Sequence, residues 1–297
     1  MTAPVLTPLT PALAYHGEGP VWDSGLNKLL WVDMLAGRVL QTSLDGSSEA
    51  ADIADPVCAF VRPTNGGGHV VAARSAILLV DLSEPALLPT VLADLQLQPG
   101  VRCNDGAIAP DGGVYIGTMA EDSAAGAGSV VHVRPDLSVH TVLSGTTVSN
   151  GTCLADDSSV LFIDSPRRAV MRYRIGPDGH WIEPEIAIDL SDWVGVPDGM
   201  CADAEGGVWI AHWDGYAVVH FDRDGVHQGT LDVATPRPTS CALGGEDGRT
   251  LFVTTSRYEL ADPDPLAGAV LTARVQVPGA AASVAALEPL PVQRTSG

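Results

Sequence analysis

One pattern recurs along this chain and restricts its possible folds more than any other feature. An acid or amide side chain stands directly before a glycine that opens a strand-like run. The copies are Glu18-Gly19-Pro20-Val21-Trp22, Asp105-Gly106-Ala107-Ile108, Asn150-Gly151-Thr152-Cys153 and Asp198-Gly199-Met200-Cys201. Thr239-Ser240-Cys241-Ala242-Leu243 is a degenerate fifth. Equivalent positions of a circular repeat face one axis, so one polar residue per repeat would gather carboxylate and amide oxygens around a point. Hard-metal sites can be built in that way without any local metal motif.

The unit around each copy is a short apolar strand, an Asp/Gly turn, a second strand with aromatics, a further turn and a third strand. Its clearest instance covers 199–212 and 215–225; siblings cover 106–117 with 128–136, 151–164 with 169–179, and 19–33 with 37–46. Residues 67–81 form a shorter copy without an axial ligand, and 240–255 with 268–277 close the series. Six units spaced by roughly 40–50 residues match four-stranded propeller blades. The strand segments are short and β-branched, Gly/Asp/Pro turns recur, and long helical periodicity is absent. The expected fold is therefore all-β: a six-bladed β-propeller with four-stranded blades around a central, metal-containing channel. Residues 1–297 read as one domain, in which a segment near 5–15 completes the last blade. Residues 85–95 and 183–190 are candidates for outer strands. A pair of β-sandwiches would leave the recurring polar–glycine register unexplained.

Composition narrows the partners. The chain has 297 residues, 45% of them hydrophobic, and a formal net charge of −20. The apolar content suffices for a packed core, and the acidity disfavours nucleic acid and anionic membranes, both polyanions. The first 15 residues lack the charged-then-apolar plan of an export signal, which gives the expectation of a cytoplasmic monomer or weak dimer. Five widely spaced cysteines fit neither a disulfide framework nor a zinc knuckle. Cys153, Cys201 and Cys241 read as small packing residues on first strands.

At the axis, Glu18 and Asp198 offer carboxylates and Asn150 an amide oxygen. These hard donors suit calcium, magnesium or manganese better than a thiolate metal, and three protein ligands leave positions open for water and substrate. Any single Asp-Gly or Asn-Gly is an ordinary turn dipeptide; four in one shared register call for more than turn chemistry. Asp105 is a weaker fourth donor. Arg102 and Asn104 bring a guanidinium and an amide to the same axis, where they can hold hydroxyls of a polar ligand. Asp164 is a candidate for the rim. His16 and His212, near strand ends, receive no role. The chain carries no Gly-x-Ser-x-Gly elbow, dinucleotide fingerprint or phosphate loop.

The segments Gly17-Glu18-Gly19-Pro20-Val21-Trp22, Arg102-Cys103-Asn104-Asp105-Gly106, Gly117-Thr118-Met119, Ser149-Asn150-Gly151, Pro197-Asp198-Gly199-Met200 and Pro238-Thr239-Ser240-Cys241 resemble, in order and spacing, the gluconolactonase/regucalcin/luciferin-regenerating family of six-bladed propellers. The resemblance spans roughly residues 15–275. It implies that Glu18, Asn150 and Asp198 bind one divalent metal ion, and that Arg102, Asn104 and Glu121 contact substrate. It also implies hydrolysis of a sugar lactone to its aldonic acid. Phe162-Ile163 ahead of Asp164, where many relatives carry a tyrosine, and the loops 120–128 and 256–266 depart from the family pattern and bear on substrate choice. Oxygen ligands admit calcium, magnesium, manganese, zinc or ferrous iron. Asp198 is the expected general base, with a metal-bound hydroxide as the alternative. Two other readings share the fold: a metal-dependent esterase or phosphotriesterase with an apolar funnel from Trp193, Trp213 and Tyr216, and a non-enzymatic calcium-binding or interaction propeller.

Overall fold

The computed structural model describes residues 4–84, 88–281 and 283–287. Its strands, in chain order, are β1 (Thr7–Pro8), β2 (Gly17–Asp23), β3 (Lys28–Asp33), β4 (Arg38–Thr42), β5 (Ser48–Asp52), β6 (Cys58–Pro63), β7 (His69–Ala73) and β8 (Ala76–Val80). They continue as β9 (Thr90–Asp94), β10 (Val101–Ile108), β11 (Val114–Ala120), β12 (Gly128–Val133), β13 (Val139–Thr146), β14 (Ser149–Asp156), β15 (Ser159–Asp164) and β16 (Ala169–Ile175). The last eight are β17 (Trp181–Asp189), β18 (Val196–Ala202), β19 (Val208–Trp213), β20 (Ala217–Phe221), β21 (His227–Asp232), β22 (Pro238–Gly244), β23 (Thr250–Thr255) and β24 (Val270–Arg274).

Among the described residues these strands form six antiparallel four-stranded sheets, the blades of a six-bladed β-propeller. Blades 1 to 5 each take four consecutive strands, beginning with β2, β6, β10, β14 and β18. Blade 6 is ordered β1-β24-β23-β22, so the N-terminal strand is its outer edge and ties the start of the chain to its end. The only helical segments among the described residues are two short 3₁₀ turns, Met34–Ala36 and Ser165–Arg167. No helix there is long and apolar enough to cross a membrane.

Burial follows strand position. The second strands are covered on both faces by neighbouring blades, so they read as continuous apolar runs rather than alternations. All of His69–Ala73 and Val114–Ala120 is buried. Outer strands are largely exposed, as in Thr90–Asp94, which lies within the expected 85–95 segment, and Trp181–Asp189, which overlaps the expected 183–190 segment and starts two residues earlier. Residues 85–87 of the first segment lie outside the described residues.

Blade 2 corrects the sequence reading. Its innermost strand is Cys58–Pro63, upstream of the 67–81 copy, and it was missed because its axial position carries Ala59 instead of a polar–glycine pair. All five cysteines fall on innermost strands, of blades 2 to 6, and are free thiols.

The innermost strand of every blade carries a register shift. It falls between Glu18 and Val21, Cys58 and Phe60, Cys103 and Gly106, Ser149 and Thr152, Pro197 and Met200, and Pro238 and Ser240. A bulge sets two residues against one, bends the strand and re-aims a side chain. The polar–glycine repeat is this bulge. Its glycine also has a packing role, clearest at Gly199: a Cβ there would lie 2.2 Å from Ser240 Oγ and 2.9 Å from Ser240 Cα of the next blade.

Candidate active site

The bulges point polar side chains into a cavity of about 610 Å³ at one end of the channel. Glu18, Arg102, Asn104, Glu121, Asn150 and Asp198 all line it. Glu18, Asn104, Asn150 and Asp198 are nearly inaccessible to solvent.

An amide network fixes one side. Arg102 Nη1 donates to Asn104 Oδ1 at 2.8 Å and to the Cys103 carbonyl at 2.8 Å. With its oxygen so engaged, Asn104 turns Nδ2 toward blade 4, where it donates to the Ser149 carbonyl and to Asn150 Oδ1, both at 2.9 Å. Asn150 Nδ2 donates to Ser165 Oγ at 2.8 Å. The chain from Arg102 to Ser165 thereby sets which end of the Asn150 amide is an acceptor. Arg102 has no carboxylate within ion-pair distance among the described residues.

The two carboxylates carry the electrostatic cost. Burial, followed by the negative charge of Asp105, pushes the Glu18 carboxyl up to about 8. Asp198 is held well above the ordinary range by burial and then by Glu18 and Asp105. Glu18 Oε2 accepts one hydrogen bond, from the Gly19 amide at 3.0 Å. Two buried carboxyls at one end of a channel, with the Asn150 oxygen beside them, are deficient in positive charge. That is the environment a divalent cation neutralises.

Asp105 belongs elsewhere. The bulge in β10 places Asn104 in the register of Asn150 and Asp198, and Asp105 in the register of the glycines Gly151 and Gly199. Asp105 lines a separate chamber at the opposite end of the channel, with Arg62. It is not among the residues of the 610 Å³ cavity, which removes it as a fourth donor there. Asp164 is likewise structural: its Oδ1 accepts from the amides of Thr147 and Val148 at 3.1 and 2.9 Å, while Ser165 and Pro166 face the cavity. His212 Nδ1 approaches the Val194 carbonyl at 3.3 Å, away from the cavity lining.

Glu121 is present at the rim but already partnered. It forms an ion pair with Arg74 from the neighbouring blade, and both side chains are about two-fifths exposed.

Sequence reasoning gave a role to Arg102 alone in a ring of six residues. His16, Val57, Arg102, Val148, Val196 and Arg237, one from each blade, all line the cavity. Each stands two positions before the axial residue of its strand. A strand returns to the same face every second residue, so this ring was recoverable by stepping back two positions from each bulge. Arg102 and Arg237 lie on blades 3 and 6, opposite one another in the ring. Arg237 Nε donates to Asp214 Oδ1 at 2.7 Å, and its guanidinium lies 4.6 Å from the Trp213 ring centroid. Trp213 and Tyr258 pack against His16, with centroids 5.7 and 5.6 Å away. Burial and then Arg102 depress His16 to about 3, so its ring is neutral. Its Nδ1 meets Ser256 Oγ at 2.7 Å. The cavity thus has an aromatic side from blades 1, 5 and 6 facing a polar side from blades 3 and 4. Of the three aromatics expected in a funnel, Trp213 lines it, whereas Trp193 and Tyr216 do not.

Residues 16–257 match the family described as the SMP-30/Gluconolactonase/LRE-like region. The chain belongs to this family. Among curated members of similar sequence, the 6-deoxy-6-sulfogluconolactonase of Pseudomonas putida is 33% identical over 276 residues, covering 89% of this chain and 93% of that protein. The pentonolactonase of Haloferax volcanii is 31% identical over 247 residues, covering 81% of each. Among solved structures, the calcium-binding protein regucalcin of Agrobacterium tumefaciens superposes with a TM-score of 0.83 at 28% identity, covering 96% of this chain and 94% of that one. The match spans all six inner strands and the cavity residues Glu18, Arg102, Asn104, Glu121, Asn150 and Asp198, and ends just before Tyr258.

Proposed function

We propose that this protein hydrolyses a sugar lactone to the corresponding aldonic acid, using one divalent metal ion held by Glu18, Asn150 and Asp198. The observation that carries the reading is the meeting of two buried carboxyls and an oriented amide oxygen in one cavity with the Arg102–Asn104 pair. The lactonase names of its relatives support the substrate class.

The donor set fits the ion. Three oxygen ligands suit calcium, magnesium, manganese, zinc or ferrous iron, and the Arg102–Asn104–Asn150–Ser165 chain supplies the outer hydrogen bonds that such ligands need. A bound ion would supply Lewis-acid polarisation of the lactone carbonyl and stabilisation of the charge on its oxygen. The residues supply the rest. Asp198 accepts the proton of the attacking water and returns it to the ring oxygen as the C–O bond breaks, leaving the hydroxy acid. Arg102 and Asn104 orient substrate hydroxyls, and Glu121, steadied by Arg74, accepts a hydrogen bond at the rim. Trp213 and Tyr258 shield the reacting face from bulk water.

Acid release from five- and six-carbon aldonolactones by chelator-stripped protein, reloaded with each metal in turn, tests this. Metal-restored turnover of a lactone supports it; no acceleration by any metal on folded protein refutes it. The aromatic side of the cavity favours one alternative, metal-dependent hydrolysis of aryl esters or phosphotriesters. Faster turnover of those substrates than of any aldonolactone would establish that alternative.

A further inference from the structure

The far end of the channel holds a second chamber, of about 250 Å³, that the lactonase reading does not use. A C-terminal strap covers it. Gly279 and Ala280 donate to the Gly248 and Ala202 carbonyls of blades 6 and 5, and Ala285 and Ala286 donate to the Pro63 and Gly112 carbonyls of blades 2 and 3. Three cysteines on the innermost strands of blades 4, 5 and 6, Cys153, Cys201 and Cys241, line this chamber.

Two of the sulfurs are in contact. Cys201 Sγ lies 3.6 Å from Cys241 Sγ, across the gap between blades 5 and 6. Cys153 instead directs its thiol to the Met200 carbonyl at 3.7 Å. The innermost strands of blades 5 and 6 belong to different sheets, so side-chain packing, not a backbone ladder, joins them. A disulfide needs sulfurs about 2.05 Å apart, and these two start from van der Waals contact.

We propose that Cys201 and Cys241 are a redox-modification site, closing to a reversible disulfide that locks blade 5 to blade 6 when the protein meets a small peroxide. Cys201 is the sulfur oxidised first, because it is half-buried on the chamber wall whereas Cys241 is fully buried. Its sulfur attacks one peroxide oxygen, the O–O bond breaks, and sulfenic acid and water form. Cys241 sulfur then attacks the sulfenic sulfur, the S–O bond breaks, and a second water leaves with the Cys241 thiol proton. In total two thiols are oxidised by two electrons and the peroxide is reduced to two waters. Burial makes the first step slow, and the sulfur contact makes the second fast. Sulfenic acid therefore does not accumulate, and over-oxidation is avoided. The same strand that carries Cys201 carries Asp198, so the link also braces the strand of the candidate base.

The test uses the full chain, treated with hydrogen peroxide, then blocked with an alkylating agent and analysed by intact mass and peptide mapping. The expected product is lighter by about 2 Da before alkylation, takes up two fewer alkyl groups after it, and maps to a Cys201–Cys241 peptide pair. Closing a loop of roughly 40 residues should raise Tm by roughly 5 °C, reversibly with dithiothreitol. Cys153→Ser should preserve both effects, and Cys241→Ser should abolish both. A linkage through Cys153, or a gain of about 32 Da on the Cys201 peptide with no disulfide, overturns the proposal. Should Cys241→Ser fail to fold, the peptide map of the unsubstituted chain decides alone.

Discussion

Replacing Asn104 by alanine removes the centre of the amide network while leaving every proposed metal ligand in place. The substitution deletes two donor bonds of 2.9 Å, to Ser149 O and Asn150 Oδ1, and one acceptor for Arg102 at 2.8 Å. A neutral bond contributes about 1 kcal/mol net and one to a charged group about 1.5–3 kcal/mol. The site borders a cavity wide enough for water, which replaces part of that loss. The expected destabilisation is therefore about 2–3 kcal/mol, or a fall in Tm of roughly 5 °C for a chain of this size. The more specific consequence concerns Asn150. Freed from Asn104, its amide can rotate and present nitrogen instead of oxygen, and loss of such an outer hydrogen bond lowers metal affinity about 10–100-fold. Thermal melts and calorimetric titration of chelator-stripped protein with manganese separate the two effects. A lowered Tm with metal affinity unchanged would show that Asn104 only packs, and would refute its orienting role.

Three further outcomes are expected. Asp198→Asn keeps the volume of the side chain but removes the base, and should lower kcat by about 10²–10⁴-fold in steady-state lactone assays; full activity would remove Asp198 from catalysis. Gly199→Ala drives a Cβ into Ser240 and should cost about 1–3 kcal/mol in denaturant unfolding, with partial recovery when Ser240→Gly is added; no loss would mean the blades are more loosely joined than described. The Glu18 carboxyl stands at about 8 in the folded protein, above its unfolded value of 4.5. Its protonated form therefore favours folding below the unfolded value, and that contribution is lost as pH rises through 8. Without metal, Tm should decline between about pH 5 and pH 8 on this account, and saturating manganese should flatten the decline; a metal-free Tm that rises across this window would contradict it.

The polar–glycine copies were legible because each marks the same bulge on the same strand of a repeated unit. Glu18, Asn150 and Asp198 stood out because the bulge demands both a re-aimed side chain and, one position on, a residue small enough for the next blade to abut. Asp105 was misread for a local reason. Asn104-Asp105-Gly106 offers two polar residues before its glycine, and only strand pairing shows that the bulge begins at Asn104. Blade 2 hid its inner strand because Ala59 stands where other blades carry a polar group. Arg237 and His16 were missed although their positions, two before the axial residue, follow the strand period. Trp213 was named as a funnel aromatic, whereas Tyr258 gave no warning, since a loop of another blade carries it to the cavity.

What the sequence alone determined was periodic: the number of blades, outer strands within or overlapping the 85–95 and 183–190 segments, and the residue type offered to the axis by most blades. Those properties follow from local alternation and turn chemistry, which repeat along the chain whatever the distant contacts are. The tertiary structure decided relations between blades. It turned Asn104 toward Asn150, paired Arg74 with Glu121, set Arg102 against Arg237, and brought Cys201 to Cys241. Each of these pairs joins residues about 40 to 135 positions apart in sequence. Their meeting depends on how closed sheets pack around a common axis, and no local pattern encodes that distance.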